Sequence, residues 1–130
     1  MSVSPSLTHT PVHQGRIGHI ALWVVQVALA GMFLLAGSSK LFGAAAMVGL
    51  FDAIGIGQWF RYVTGLIEVS SAVALLVPSF AVFGALALVA TMIGAIAAHL
   101  FIVGGSPAMP VILLLGSAGV LWARRNQLLR

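Results

Sequence analysis

The sequence predicts an all-α integral membrane protein, a bundle of four transmembrane helices with an interfacial helix or loop between the first two helices. Apolar residues make up 61% of the 130 residues and charged residues only 6%, whereas soluble domains have about 45–50% and about 25%. Eight charged side chains cannot cover the surface of a water-soluble domain of this length. Two long stretches, residues 17–39 and 69–123, carry no formal charge, which fits segments that lie in a bilayer.

The first uncharged stretch predicts the first transmembrane helix, over about residues 17–40. Its 23 uncharged residues reach the roughly 30 Å of a hydrocarbon core at about 1.5 Å per residue. They also exceed the roughly 7–15 apolar residues of a signal peptide, so we expect the helix to be retained. Residues 1–15, rich in Ser, Thr, Pro and His, predict a flexible tail, and residues 16–130 predict a single transmembrane domain.

The second uncharged stretch, of 55 residues, is too long for one crossing and must fold back. Two groups of helix breakers divide it: Pro78-Ser79, and the Gly-Gly-Ser-Pro run of residues 104–107 together with Pro110. Together with the residues that precede it, this stretch predicts helices over about residues 62–77, 79–103 and 108–123.

The segment between the first two transmembrane helices, residues 41–60, is too interrupted by glycine to cross the bilayer and holds Asp52 in its middle. Its apolar residues recur at near-helical spacing, which predicts an interfacial helix over one mouth of the bundle. Such a helix is either the lid of a pocket or a plain amphipathic connector, and the connector is the favoured interpretation. The glycines that interrupt this segment are Gly43, Gly49, Gly55 and Gly57. The apolar residues at near-helical spacing are Phe42, Met47, Leu50, Phe51 and Ile54.

The cations predict the orientation of the chain in the membrane. Four of the six lie on the side that carries both termini and two lie on the other side. Because cytoplasmic loops are enriched in Lys and Arg, we expect both termini in the cytoplasm, with the protein in the inner (plasma) membrane. The cations on the side of the termini are Arg16, Arg124, Arg125 and Arg130, and those on the opposite side are Lys40 and Arg61.

Polar residues are costly inside a membrane, and here three predicted helices bring them to one depth near the outer face. Lys40 ends the first helix, while Glu68 and His99 lie about 9 Å and about 6 Å from the outer ends of theirs. Glu68 and His99 are therefore the candidate catalytic residues. The candidate ligand-binding residues are Lys40, Arg61, Glu68, His99 and Met92, the last on the same helix face as His99.

Helical spacing also predicts the inward faces of the first three transmembrane helices. These faces hold Gln26, Ala30 and Phe33 on the first helix, Gly65, Glu68 and Ser71 on the second, and Ala85, Leu88 and Met92 on the third. We expect Gln26 to form an interhelical hydrogen bond rather than to contact a ligand.

Each of these residues also has a purely structural interpretation. Glu68 either pins two helices through an ion pair with Lys40 or Arg61, or serves as a proton acceptor or substrate anchor. Lys40 and Arg61, at helix ends, can act as membrane anchors. His99 can donate a hydrogen bond to the carbonyl of a quinone-like ligand or shuttle a proton, or it is a buried imidazole bonded to Glu68 or to a backbone carbonyl.

Several kinds of chemistry lack their residues in this sequence. Without cysteine there are no disulfides, thiolate zinc sites or iron–sulfur ligands. One His and one Glu are too few for a metal site, so none is expected. A bis-histidine haem is excluded because His19 lies at the opposite face from His99, which leaves single-histidine haem as a disfavoured option. Six dispersed cations form no surface for nucleic acid, despite the net charge of +4.

Three segments, GSSKLFG, QWFRYVTGLIEVSSAVALLVP and GAIAAHL, resemble the DoxX and DoxX-like family. The resemblance is most specific in Gly37-x-x-Lys40-Leu41 and Gly65-x-x-Glu68. It implies a small four-helix membrane protein, and some relatives are associated with quinone-linked sulfur oxidation (thiosulfate:quinone oxidoreductase) or with membrane redox complexes.

From this resemblance we expect a small redox-associated subunit with an outer-leaflet polar pocket for a lipophilic ligand. Quinone is its candidate cofactor and a membrane redox protein its candidate partner. The alternative is a non-catalytic membrane scaffold or chaperone that binds partner transmembrane helices. Association into a homo-oligomer is also open, and whether the protein is an enzyme is not decided by the sequence.

Overall fold

The computed structural model describes the backbone of residues 12–129 and the side chains of residues 16–127. Within these limits the chain is helical and has no strand, as the all-α membrane bundle requires. A π-helical turn, His99–Val103, continues the fourth helix, and a 3-10 segment, Arg125–Leu129, follows the fifth. The helices are α1 (Val12–Phe42), α2 (Ala45–Ile54), α3 (Trp59–Leu75), α4 (Ala81–Ala98) and α5 (Ala108–Arg124).

The observed helix bounds differ from the expected ones mainly at the amino terminus. α1 is already helical at Val12, the first described residue, rather than from residue 17. Residues 12–15, which we expected in the flexible tail, are therefore helical, and residues 1–11 of that tail lie outside the described residues. Pro110 lies inside the first turn of α5 rather than in the preceding loop, since the first backbone N–H groups of a helix need no intrahelical acceptor.

Three of the helical segments are long and apolar enough to cross a membrane: Arg16–Phe42, Ala81–Val103 and Ala108–Gln127. α3 has 17 residues, a rise of about 26 Å, which is slightly less than the roughly 30 Å hydrocarbon thickness. Its outward side is apolar, with Leu66 60% exposed. Tilting or local thinning of the bilayer accommodates a helix of this length.

The inward faces predicted for the first three transmembrane helices are the buried or half-buried faces of α1, α3 and α4. α3 packs against α1 and α4, and α5 packs against α4 and α1, so that the four helices close into a bundle. On α1 the expected seam is buried from Gln26 through Ala30 to Phe33. On α4 the expected positions Ala85 and Leu88 are completely buried, which confirms the periodicity on which the face assignment rests.

A polar network joins the helices at the end of the bundle that carries both termini. Gln26 Nε2 on α1 donates a hydrogen bond to the Leu75 carbonyl at 2.6 Å. Arg124 Nε and Nη2 on α5 donate to Gln26 Oε1 at 3.0 and 2.8 Å. Gln127 Nε2 donates to the Pro78 carbonyl at 2.8 Å. Gln26 is therefore an interhelical hydrogen-bonding residue, as the sequence indicated, and this network fixes α1, α3 and α5 together.

Candidate functional site

Two glycines allow α1 and α3 to approach each other closely at the other end of the bundle. A Cβ atom on Gly37 would lie 2.9 Å from the Gly65 carbonyl oxygen, and one on Gly65 would lie 2.9 Å from the Gly37 carbonyl oxygen. Helical side chains lean toward the amino terminus of their helix. α1 and α3 are antiparallel. The Lys40 side chain is therefore directed toward the end of the bundle that carries the termini, and the Glu68 side chain toward the opposite end, so the two side chains meet.

Lys40 and Glu68 form an ion pair in which Nζ lies 3.0 Å from Oε1 and 3.1 Å from Oε2. The side chains are 12% and 2% exposed respectively. Of the two cations that the sequence offered as partners of Glu68, Lys40 is the one the structure brings to it. A buried carboxylate needs such a partner because the desolvation of an unpaired charge is very costly.

Arg61 lies outside the cavity wall, in contrast to its expected role in ligand binding. Its Nε donates to Gln58 Oε1 at 2.7 Å, and its Nη1 donates to the carbonyl oxygen of Lys40. The guanidinium carbon lies 4.3 Å from the centre of the Tyr62 ring. Arg61 therefore adds a second hydrogen bond to a carbonyl in the last turn of α1 that also accepts from Gly43 N, at a helix end where the helix dipole favours a positive charge.

Sequence reasoning missed Gln58, which connects α2 to α3. Its Nε2 donates to the Val48 carbonyl at 3.0 Å and to Asp52 Oδ1 at 2.7 Å, while its Oε1 accepts from Arg61. The available signal was its position three residues before Arg61, at the start of a helix. These bonds hold α2 across the mouth of the bundle, where its Phe51 is only 3% exposed.

The ion pair lines a cavity of about 490 Å³ enclosed by all five helices and the π-helical turn. This volume lies within the range of about 300–1,000 Å³ typical of small-molecule sites. α2 covers one end of the cavity with four apolar side chains, and most of the remaining wall is apolar too. The polar or charged lining side chains are those of Lys40, Thr64, Glu68, Thr91 and His99, and Met92 lies among the apolar ones.

The cavity is bordered by α3 and α4 on one side. Toward the termini they touch: a Cβ atom on Gly84 would lie 2.7 Å from the Ser71 carbonyl oxygen. Beside the cavity, a Cβ atom on Gly94 of α4 would have no atom within 4 Å. Gly94 lines the cavity together with Val63 and Ile67 of α3, which are 41% and 40% exposed. The cavity therefore opens sideways between α3 and α4, toward the lipid-facing surface.

His99 lies in the cavity wall at the start of the π-helical turn. Its Nδ1 is 2.9 Å from the Ala95 carbonyl oxygen, so Nδ1 must carry the hydrogen, since a carbonyl only accepts. In the neutral ring Nε2 then has a lone pair and no hydrogen. Of the two interpretations of His99 that the sequence left open, the structure shows the imidazole bonded to a backbone carbonyl. In the neutral ring Nε2 can accept a hydrogen bond but cannot donate one to a ligand carbonyl. No sequence signal indicated the π-helical turn.

The geometry brings four of the five candidate residues to one cavity: Lys40, Glu68, Met92 and His99. Within residues 16–127, no group of three or more His, Asp or Glu side chains is placed to hold a metal ion. The site thus consists of one ion pair, one imidazole and two threonine hydroxyls in an otherwise apolar chamber. It can bind, orient and exchange protons with a small lipophilic molecule.

Antiparallel apolar helices, a buried ion pair and a cavity open to the lipid-facing surface together define a small integral membrane protein of the helix-bundle class. Residues 24–120 match the DoxX-like family, a segment that includes the whole cavity wall and both glycine motifs. The chain belongs to the DoxX-like family. Comparison with curated proteins and with solved structures gives no match.

Proposed function

We propose that this protein is a small redox-associated membrane subunit that binds a lipophilic ligand of the quinone class in the cavity between α3 and α4. The observation that carries the proposal is the cavity itself: about 490 Å³, mainly apolar, with Lys40, Glu68 and His99 in its wall. An apolar chamber with a few convergent polar groups is the usual form of a small-molecule site. A quinone couple has a flat ring with oxygens at its edge and an apolar chain, which fits this distribution of groups.

The lateral opening supports entry of the ligand from the bilayer rather than from water. Ala90 and Gly94, one turn apart on α4, and Val63 and Ile67 on α3 all line the cavity. All four are exposed and none is charged. A ligand with a long apolar tail can therefore place its head group in the cavity while the tail remains in lipid.

The polar residues have distinct roles in this proposal. Lys40 donates a hydrogen bond to a ligand oxygen while it neutralises Glu68. Glu68 is the proton acceptor, and His99 holds the ligand ring from the side of α4. Of the candidate ligand-binding residues, Arg61 acts indirectly, because it fixes the end of α1 that carries Lys40. Electrons are exchanged with a membrane redox partner, since the site residues themselves are not redox-active.

We place the protein in the inner membrane with both termini in the cytoplasm, so that the cavity lies in the outer leaflet. A reporter fused after Arg130 should behave as a cytoplasmic fusion. A reporter inserted at Gly57, in the turn between α2 and α3, should lie on the opposite side of the membrane. Export of the carboxy-terminal reporter would reverse the orientation and move the cavity to the inner leaflet.

The central test is to purify the protein in mild detergent and to identify bound quinones by absorbance and mass spectrometry. The matched variants are Gly94→Leu, which fills the opening, and Gly31→Leu, which adds the same side chain on the lipid-facing surface of α1. A Cβ atom at either position has no neighbour within 4 Å, so both variants should fold. We expect the Gly94 variant alone to lose the ligand. Equal quinone content in both variants, or none in the wild type, would contradict the proposal.

A non-catalytic scaffold is the second candidate, and the open glycines favour it. Gly31 on α1 and Gly119 on α5 are exposed, and a Cβ atom on either would meet nothing within 4 Å. Small residues on a lipid-facing surface allow close approach of a partner helix. If the protein is a scaffold, Gly31→Leu should abolish recovery of partner helices after crosslinking, while Gly94→Leu should leave it unchanged. The same two variants therefore separate the candidates.

A further inference from the structure

The hydrogen-bond donors of the cavity wall are almost all in use. Thr64 Oγ1 donates to the Phe60 carbonyl at 2.8 Å, and Thr91 Oγ1 bonds the carbonyl four residues earlier at the same distance. His99 Nδ1 bonds its own helix in the same way. Each of these side chains has therefore committed its one hydrogen to the backbone.

The groups left for a ligand are consequently acceptors. Each threonine oxygen keeps a lone pair, the neutral His99 ring keeps one on Nε2, and the Glu68 carboxylate accepts only. Lys40 is the exception: its ammonium has three hydrogens, and its bonds to the two Glu68 oxygens leave at least one of them free. Among the described side chains that line the cavity, the polar groups thus offer one kind of donor and four acceptors.

We propose that the cavity selects a ligand bearing a ring hydroxyl, the reduced hydroquinone or phenol form, over the carbonyl form of the same molecule. This inference rests on the proposed function and adds to it the chemical form that is bound. A hydroxyl oxygen accepts from Lys40 while its hydrogen goes to an acceptor such as His99 Nε2. A carbonyl oxygen satisfies Lys40 alone and faces the remaining acceptors without a hydrogen to share, which costs binding energy.

The test uses a redox-inert pair of probes, 4-heptylphenol and its methyl ether 1-heptyl-4-methoxybenzene. Both are titrated into the protein in lipid nanodiscs at about pH 8.5, where a histidine side chain is ordinarily neutral. Empty nanodiscs correct for partition into lipid. We expect the phenol to bind at least about tenfold more tightly, because one good hydrogen bond is replaced by an unpaired acceptor. Decyl-substituted benzohydroquinone and benzoquinone should show the same preference.

Two variants test the contribution of His99 itself. His99→Phe keeps a flat ring but removes Nε2, and we expect it to reduce the preference for the phenol severalfold. His19→Phe makes the same change on an exposed histidine of α1 outside the cavity and should leave the preference unchanged. In the unaltered protein, ¹⁵N NMR of labelled histidine should show the His99 ring protonated at Nδ1. A ring protonated at Nε2 would overturn the inference without any variant.

The outcomes separate this inference from the function on which it rests. Tighter binding of the phenol supports both. Equal binding of the two probes, or tighter binding of the ether, overturns the selection of the hydroxyl form and leaves the lipophilic site in place. Failure of both probes and of both quinone forms to bind overturns the proposed function, and the selection with it.

Discussion

The ion pair between Lys40 and Glu68 predicts an asymmetric response to the removal of its two partners. Lys40→Met leaves the Glu68 carboxylate unpaired at 2% exposure, and the loss of one partner of a buried pair costs about 3–5 kcal/mol. Glu68→Gln leaves the Lys40 ammonium, which is 12% exposed and lies in the last turn of α1. Its flexible stem can reach the interface and the helix dipole favours its charge there, so we expect a loss of only about 1–2 kcal/mol, below the buried-pair value.

The double variant Lys40→Met/Glu68→Gln completes the cycle. It leaves no unpaired charge, so we expect its stability to lie within about 1 kcal/mol of the wild type, because a buried ion pair can often be replaced without loss. The free energy of unfolding is measured in mixed micelles by circular dichroism. Arg16→Met, which removes an exposed cation from the same helix, is the control and should change stability by no more than about 0.5 kcal/mol. If Lys40→Met is no more harmful than Glu68→Gln, the burial of Glu68 does not govern this pair and the reasoning fails.

Three further predictions use the same unfolding assay. Gly37→Val should cost about 1–3 kcal/mol of stability by overpacking, since its Cβ would lie 2.9 Å from the Gly65 carbonyl oxygen. Gly31→Val, with open space around the Cβ atom, should cost far less. Equal losses of stability in the two variants would refute the close approach of α1 and α3. Gln26→Leu should lower the free energy of unfolding by about 2–3 kcal/mol, because it removes the acceptor of the Arg124 guanidinium. A loss below about 0.5 kcal/mol would show that the polar network around Gln26 is dispensable for stability. Ser117→Ala should be neutral or stabilising by up to about 1 kcal/mol, because the buried Ser117 hydroxyl has no hydrogen-bond partner among the described residues. A clear loss of stability would contradict this prediction and show that the hydroxyl forms a hydrogen bond.

The sequence was sufficient for the bundle and for the depth of its polar residues. In so apolar a chain each polar side chain is conspicuous, and helical periodicity assigns it a face while helix length assigns it a depth. Helix face and depth together were enough to predict that Lys40, Glu68 and His99 lie at one depth in the bundle. They also identified Gln26 as a residue that joins helices.

The features that the sequence did not reveal are side-chain hydrogen bonds to particular backbone carbonyl groups, which depend on local backbone geometry. Gln58 and Arg61 bond carbonyl groups of α2 and α1, and a side chain's choice of carbonyl has no pattern along the chain. The hydrogen on His99 Nδ1 follows from one distance to Ala95, and that distance decides whether Nε2 accepts or donates. The position of His99 and its bond to a backbone carbonyl were therefore among the expectations from the sequence, but the nitrogen that makes this bond was not predictable.

The two ends of the bundle have opposite construction, and the contrast explains how a cavity persists in so small a protein. At the end that carries the termini, α3 and α4 touch at Gly84, and Gln26 and Arg124 join α1, α3 and α5. At the other end α3 packs closely against α1 at Gly37 and Gly65, and the cavity lies beside this contact. Since that contact brings Lys40 to Glu68, the ion pair formed at this end also places the Lys40 ammonium in the cavity wall. We therefore expect a ligand that engages Lys40 to raise the free energy of unfolding, because it binds the folded protein and not the unfolded chain.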